Sequence, residues 1–171
     1  MNEIQIRVAK LDDVDRLVSM YEAARKWLAS IGSDQWAANT PERIRPKIVY
    51  SVQRRECFVA VVEGTIVGTV TIDDAADPEF WSPEESSDKA LYLHRMVVAE
   101  SARRKSVGQA MLKMATTLAA SRGCRWLRLD AWRTNTKLHR YYEDQGFAHV
   151  RTVDLSHRGS GALFQTPVHQ S

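Results

Sequence analysis

Cysteine is scarce in this sequence of 171 residues, and long apolar runs are missing. The two cysteines, Cys57 and Cys124, do not form a CxxC pair, so we interpret both as reduced, buried thiols rather than disulfide partners or metal ligands. No stretch approaches the roughly 18 apolar residues that a membrane helix needs, and the start, MNEIQIRVAK, has no signal-peptide core. These absences predict a cytoplasmic protein with no membrane partner and no metal.

Internal repeats, low-complexity tracts and linkers are absent as well. The composition is that of a soluble globular protein, with 44% hydrophobic and 26% charged residues, and the length predicts one domain over residues 1–171. Basic residues are only slightly in excess, and the net charge is +3. This charge permits nucleic-acid binding but does not require it.

The hydrophobic pattern predicts a mixed sheet with helices on its faces, an α/β or α+β fold. Two-residue alternation indicates strands, and spacing such as that of Val14, Leu17 and Val18 indicates helices. Glu63-Gly64 is a hairpin turn signal. The predicted strands are residues 4–9, the two arms of 57–73, 89–98, 125–132, 147–155 and 161–167. The predicted helices are about 11–31, 40–52, 107–123 and 135–146, and 74–88 is predicted to be a loop.

A basic turn, ARRKSVGQAML (residues 102–112), joins a predicted strand to a predicted helix. The first N–H groups of a helix lack internal partners and carry the positive end of the helix dipole, so this arrangement attracts anions. Arg103, Arg104 and Lys105 add positive charge, and Gly108 lets the backbone approach a phosphate. The turn matches neither GxxxxGK[ST] nor GxGxxG, and a pyrophosphate is the ligand that it favours.

Two motifs in this region resemble those of the GNAT superfamily of N-acetyltransferases. VVAESARRKSVGQAML (97–112) is similar to the cofactor motif [RQ]-x-x-G-x-[GA], with Ser106 in place of the first glycine. NTKLHRYYEDQGF (135–147) is similar to N-x-x-A/L-x-x-F/Y-Y-E-x-x-G-F, one strand downstream as in that family. The resemblance is close over roughly 89–155. It implies a mostly antiparallel sheet of six to seven strands, with strands 4 and 5 splayed apart around acetyl-CoA.

The resemblance also implies roles for individual residues. The Met96 N–H would polarise the thioester carbonyl, and Asn135 would hydrogen-bond the pantetheine. Tyr142 would protonate the leaving thiolate, whereas its neighbour Tyr141 would face another side of the helix. The residues implied to hold the cofactor are Met96, Val97, Val98, Arg103, Arg104, Lys105, Ser106, Val107, Gly108, Gln109 and Asn135.

The general base is sought on the strand at 89–98. By alternation Tyr92, His94, Met96 and Val98 share one face, and His94 is the only one of them that titrates near neutrality. Arylalkylamine acetyltransferases carry a histidine at what resembles the same position. We predict that His94 is the base, with a hydrogen-bonded structural histidine as the alternative.

The acceptor is sought near two unusual loops. Residues 73–88, DDAADPEFWSPEESSD, are rich in acids beside two aromatic residues, which suits a cationic amine; a solubilising surface loop is the alternative. Residues 32–41 contain Asp34, Gln35 and Trp36. The predicted acceptor-binding residues are Trp36, Trp81, Tyr92 and Trp132.

The resemblance therefore predicts an acetyl-CoA-dependent N-acetyltransferase that acetylates a small-molecule primary amine in a ternary complex, as a monomer or homodimer. A protein or peptide acetyltransferase, acting on N-termini or lysines, is the alternative. A non-catalytic acetyl-CoA-binding protein is a weaker alternative, because Asn135 and Tyr142 are both present. A nucleic-acid-binding protein is weaker too, because the chain carries no helix-turn-helix, zinc or RNP pattern.

Overall fold

The structure is a computed structural model, and it describes residues 2–170. Its strands are β1 (Gln5–Val8), β2 (Cys57–Val62), β3 (Thr65–Asp73), β4 (Ala90–Val98), β5 (Trp126–Trp132), β6 (Ala148–Thr152) and β7 (Ser160–Pro167). Its helices are α1 (Val14–Ser30), α2 (Pro41–Gln53), α3 (Pro83–Ser87), α4 (Val107–Ser121) and α5 (Thr136–Asp144), with short 3-10 turns at Leu11–Asp13 and Glu100–Ala102.

The seven strands form one mixed sheet in the order β1-β2-β3-β4-β5-β7-β6. The β1–β2, β2–β3, β5–β7 and β6–β7 pairs are antiparallel, and β4–β5 is parallel. This mostly antiparallel sheet with interspersed helices confirms the predicted fold class. Within residues 2–170 none of the helices combines the length and apolar character that crossing a membrane requires.

The chain divides into two compact units, so the single domain expected from length stays a prediction. The first unit runs to Thr71 and includes Arg95–Leu112. Its core lies between α1, α2 and the face of β2 that carries Cys57 and Val59. Burying apolar area against the sheet stabilises α1 more than its intrinsic helix propensity does.

The beginning of α4 packs on the other face of the first unit's strands. Ala60 pairs with Gly68 across β2 and β3, and both lie on the face opposite Val59. A Cβ atom at Gly68 would lie 2.8 Å from Cγ1 of Val107, closer than real Cβ contacts. Glycine at this position therefore lets the first turn of α4 approach the sheet, so the first unit has helices on both faces, as predicted.

The second unit comprises Ile72–His94 and the chain from Lys113 onward. Here β4 pairs with β5 only from Ala90–Trp126 to Leu93–Leu129. Beyond Leu129, β5 keeps pairing with β7 as far as Trp132. The parallel pairing between strands 4 and 5 thus ends within β4, which agrees with the splay expected for this fold.

Three local differences separate the structure from the predicted elements. Residues 74–88, predicted to be a loop, contain the short helix α3, because Ser82 and Glu85 form a capping box at its N-terminus. The strand predicted at 147–155 ends at Thr152. In β4, Arg95 has a φ of 51°, which interrupts the two-residue alternation. The prediction that Tyr92 and His94 share one face of the strand with Met96 and Val98 is therefore wrong, because the alternation does not continue through Arg95.

Candidate active site

The turn between β4 and α4, in the first unit, is left-handed at two residues that are not glycine. Arg104 has a φ of 61° and Ser106 a φ of 63°. The Ala110 N–H donates to the Ser106 carbonyl over 2.9 Å, so α4 begins directly after Ser106. The N–H groups of the next three residues have no partner inside the helix. Turns of this kind direct several N–H groups towards one point and bind anions such as phosphate.

The three basic side chains of this turn have different surroundings. Arg104 and Lys105 are exposed, so their charge is available to an anion at the start of α4. Arg103 is half-buried, and its guanidinium carbon lies 4.1 Å from the ring centroid of Trp27, a residue of α1 that is 41% exposed. This cation–π contact orients Arg103 along the aromatic ring.

The loop between α1 and α2 brings Trp36 against α1. Its ring meets that of Tyr21 edge to face, with centroids 5.9 Å apart. The Tyr21 hydroxyl in turn donates to the Arg95 carbonyl over 2.6 Å, which ties α1 to the left-handed residue in β4. Trp36 itself has a φ of 62° and is half-buried.

His94, in the second unit, faces a carboxylate that the sequence did not single out. Its Nε2 lies 3.0 Å from Oδ2 of Asp73, and the two side chains are 28% and 22% exposed. The distance is that of an ion pair, but the angles are not those of a hydrogen bond, and Nε2 is buried without another partner. An imidazole in this position gains an electrostatic partner when it becomes protonated.

The acidic segment 73–88 has basic partners within its own unit. Arg158 forms ion pairs with both Asp77 and Glu79, and His157 lies 2.9 Å from Glu79. Although burial raises the pKa of Asp77, the hydrogen bond from Arg158 holds it below its usual value. Glu85 and Asp88 also have arginine partners at 2.6 and 3.2 Å. Much of the negative charge expected to attract a cationic acceptor is therefore neutralised by the chain itself.

Trp81 and Tyr92 lie inside the second unit around a buried arginine. Trp81 is 2% exposed, Tyr92 4% and Arg128 2%. The Arg128 guanidinium carbon lies 4.8 Å from the Trp81 ring centroid, and Arg128 donates to the Tyr92 hydroxyl over 3.0 Å and to the Glu85 carbonyl over 2.8 Å. The structure thus gives both aromatic residues a packing role. Their contact with an acceptor stays a prediction.

Tyr142 is buried on α5 among other aromatic rings of the second unit. Its ring centroid is 5.6 Å from that of Phe147 and 6.2 Å from that of Phe164. Burial, followed by the nearby Tyr141 and Asp130, raises the pKa of Tyr142 well above its usual value. The phenol therefore keeps its proton throughout the neutral range, as a proton donor must.

Asn135 and Trp132 flank the beginning of α5. The Asn135 side-chain oxygen accepts from the Leu138 N–H over 3.1 Å, the usual N-cap contact. The Trp132 carbonyl accepts from the His139 ring over 2.7 Å, and the Trp132 ring lies against Gly159. Asn135 thus stabilises the helix that carries Tyr142.

Three polar residues that interact with a predicted site residue or adjoin one in the sequence were not themselves predicted: Asp73, Asp130 and Arg95. Asp73 ends a strand and pairs with His94, and Asp130 is hydrogen-bonded to the Ser160 hydroxyl. A charged residue in a largely apolar strand, such as Asp130 in WLRLDAW, which also contains Arg128, is the sequence signal that could have identified it. The position of Asp73 opposite His94 depends on strand pairing, which local sequence does not reveal.

Comparison with known proteins gives a consistent result. The model of the acetyltransferase (GNAT) family matches residues 19–147. A curated relative, GCN5-related N-acetyltransferase 4, chloroplastic, of Arabidopsis thaliana, is 27% identical over 95 residues, which are 54% of this chain and 33% of that protein. The aligned part of the chain thus spans about a third of the length of this relative.

Solved structures with the same fold cover nearly the whole chain. An acetyltransferase of the GNAT family from Listeria monocytogenes has a TM-score of 0.78 and 23% identity, and the match covers 97% of this chain and 95% of that one. The PaiA N-acetyltransferase from Thermoplasma acidophilum, in complex with coenzyme A, has a TM-score of 0.71 and 20% identity over 96% of this chain and 99% of that one. At these identities the similarity demonstrates the fold.

Proposed function

This chain belongs to the GNAT family of acetyltransferases, and we propose that it transfers an acetyl group from acetyl-CoA to the primary amine of a small molecule. Members of this family are acyltransferases, and acetyl-CoA is their acetyl donor. The transfer takes place by direct attack of the amine in a ternary complex, without an acetylated enzyme intermediate. The small size of the acceptor and the cytoplasmic location of the protein are the parts of the proposal that rest on sequence alone.

The cofactor assignment rests mainly on the backbone conformation of the turn before α4. Two left-handed residues, Arg104 and Ser106, precede a helix whose first three N–H groups are available to a ligand. Lys105, between them, is exposed and positively charged. These groups fit a pyrophosphate, which offers several oxygens at short spacing and a negative charge for the helix dipole. We assign the N–H groups from Arg104 to Gln109 to the pyrophosphate of acetyl-CoA.

The remaining cofactor contacts follow the family motifs. The backbone of Met96, Val97 and Val98 pairs with the pantetheine arm, and Asn135 contributes a hydrogen bond to it. Of these residues, Met96 and Val98 are half-buried and Val97 is buried in the core under α1. The Met96 N–H stabilises the negative charge that develops on the thioester oxygen.

The chain supplies both proton-transfer groups in this proposal. His94 takes a proton from the acceptor amine, either directly or through water, and Asp73 stabilises the imidazolium that results. Tyr142 gives its proton to the departing sulfur, and its raised pKa ensures that the proton is present at neutral pH. The amine loses one proton and the thiolate gains one, so the enzyme returns to its starting state after both groups exchange protons with solvent.

We assign acceptor binding to Trp36, Trp81, Tyr92 and Trp132. Of these, Trp36 and Trp132 are half-buried, so part of each side chain is exposed to a ligand. A protein or peptide amine is the second candidate, because the family model alone does not distinguish the two acceptor classes. We expect the protein to be a monomer or a homodimer.

Two measurements test the proposal in sequence. Acetyl-CoA at about a hundred times its Kd is expected to stabilise the protein by ~2.7 kcal/mol in a thermal shift. Thiol release from acetyl-CoA is then measured with amines, peptides and lysine-containing proteins as acceptors. Absence of any shift at saturating acetyl-CoA would refute the cofactor assignment, and release with peptides but not with small amines would favour the second candidate.

A further inference from the structure

We propose that the acceptor is an amine that also carries a carboxylate, as an amino acid does, and that Arg95 binds this carboxylate. The inference rests on the proposed acetyl transfer and narrows its substrate class. Among the arginines in residues 2–170, Arg95, in the first unit, is the one with a buried side-chain nitrogen that has no hydrogen-bond partner.

Arg95 lacks the partners that a partly buried arginine requires. Within residues 2–170 no aspartate or glutamate oxygen lies within 4 Å of its guanidinium, whereas Arg7, Arg151 and Arg158 each have at least one carboxylate partner. Its Nη2 makes one long hydrogen bond, 3.4 Å to the Thr71 hydroxyl. Its Nε is buried and has no hydrogen-bond partner. A guanidinium offers five N–H donors, and although the Tyr21 hydroxyl also interacts with this one, neither Tyr21 nor Thr71 carries a negative charge.

The neighbours of Arg95 do not neutralise its charge. Burial raises the pKa of the Tyr21 hydroxyl and of the Cys57 thiol, so both are uncharged at neutral pH. The Tyr21 hydroxyl donates its proton to the Arg95 carbonyl, and the Thr69 hydroxyl donates to the Phe58 carbonyl. An unpaired, partly desolvated charge is costly, and a bound anion removes that cost.

The backbone at Arg95 is also specialised. Its φ of 51° is a strained value for a residue with a side chain, and strain of this kind collects at binding and catalytic positions. The hydrogen bond from the Tyr21 hydroxyl to the Arg95 carbonyl stabilises this backbone conformation. Arg95 Nη2 lies 3.4 Å from the Thr71 hydroxyl and His94 Nε2 lies 3.0 Å from Asp73, and these two partners are two residues, roughly 7 Å, apart along β3. An amino acid that hydrogen-bonds to His94 through its amine and to Arg95 through its carboxylate spans a comparable distance, which is why we assign the anion to the acceptor.

The test uses acceptor pairs that differ only in the carboxylate: phenylalanine with phenethylamine, leucine with isopentylamine, and lysine with cadaverine. Thiol release from acetyl-CoA gives kcat/KM for each. We expect the wild-type protein to favour the carboxylate-bearing member of at least one pair by about 10- to 100-fold, the range for a charged hydrogen-bonded contact. Arg95→Met should remove this preference by raising KM for the amino acid, with little change for the simple amine.

Arg43→Met, which removes an exposed arginine of α2, is the matched control and should keep the preference. Arg95→Gln replaces the methionine variant if that one fails to fold, as judged by circular dichroism and by the acetyl-CoA thermal shift. A wild-type protein that uses the simple amines as well as the carboxylate-bearing members, or that uses only the simple amines, overturns the inference. An equal loss for both members of a pair in Arg95→Met assigns Arg95 a structural role instead. Failure of the proposed function is distinct, because it appears as no acetyl-CoA binding, or as no thiol release with any small amine, with or without a carboxylate.

Discussion

The Nε2 atom of His94 lies 3.0 Å from Oδ2 of Asp73, and both side chains are mostly shielded from solvent. Asp73 ends β3 and His94 lies in β4, 21 positions later in the chain. The carboxylate is placed to stabilise the positive charge that the ring acquires when it takes a proton, as the aspartate of a serine-protease triad does.

Asp73→Asn is expected to lower kcat/KM by about 10- to 100-fold, part of the roughly 10²- to 10⁴-fold effect of a general base. The amide keeps the side-chain oxygen that accepts from the Ala75 N–H but carries no charge. The same change in a His94→Ala background should have little further effect, because the two residues act together. Asp74→Asn, at the exposed neighbouring position, is the control. Equal losses with and without His94 would contradict this role of Asp73.

Ser106→Gly is expected to raise stability by up to about 1 kcal/mol and to keep or tighten acetyl-CoA binding. A left-handed residue with a side chain costs roughly 1–2 kcal/mol, which the greater freedom of glycine in the unfolded chain partly offsets. Urea unfolding and acetyl-CoA titration measure the two effects. Ser101→Gly, in the same turn but without a positive φ, should not stabilise. Clearly weaker acetyl-CoA binding in Ser106→Gly would indicate that the serine hydroxyl contacts the phosphate.

Tyr142→Phe is expected to lower kcat by about 10²-fold while the acetyl-CoA thermal shift is retained. The ring contacts with Phe147 and Phe164 survive the change, so the loss reports on the hydroxyl. Since the pKa of Tyr142 is raised, its proton is retained up to about pH 10, and the wild-type rate should show no alkaline decline below that pH. Tyr141→Phe is the matched control. Similar losses in both variants would argue against Tyr142 as the proton donor.

Glu85→Gln is expected to reduce the free energy of unfolding at pH 7 by about 1–2 kcal/mol, since Arg151 is 40% exposed and solvent screens the pair. Hydrogen bonding from Arg151 lowers the pKa of Glu85 to about 2. Because the pKa of Glu85 is lower in the folded protein than in the unfolded chain, its ionised carboxylate stabilises the fold at pH values above the unfolded-state pKa. This stabilisation disappears as the pH falls from about 4.5 to 2.

The Glu85→Gln variant should therefore lose less stability on acidification than the wild type, measured by denaturant unfolding at several pH values. Glutamine still suits the capping box with Ser82, so the helix end is preserved. Glu84→Gln, on the same helix and exposed, should follow the wild-type curve. If the free energy of unfolding falls equally on acidification in Glu85→Gln and in the wild type, the ion pair with Arg151 adds no pH-dependent stability.

Local patterns predicted most of the elements because the information for them lies within a few residues. The Glu63-Gly64 turn, for example, has φ values of 49° and 76°, which suit a hairpin. The capping box at Ser82 and Glu85 is equally local, and the SPEE pattern could have revealed α3. The left-handed residue in β4 has no such signal, since arginine is not a residue that favours a positive φ.

Contacts between distant segments could not be predicted in this way. Trp81, which the sequence places in an acidic loop, packs on Arg128, which is 47 positions away. The acids of that loop pair with Arg151 and Arg158, which follow them by more than 60 positions. Sequence spacing does not reveal which side chains strand pairing and loop packing bring together, so the ion pairs of this loop could not be predicted.

The sequence by itself determined the fold family, the order of elements and the basic turn before α4, because periodicity, turn residues and two motifs are local properties. Only the tertiary structure decided that Ser106 is left-handed, that Asp73 faces His94, and that Arg95 is partly buried without an anionic partner. Each of these depends on backbone conformation or on burial, and both are set by packing across the sheet rather than by neighbouring residues in the chain.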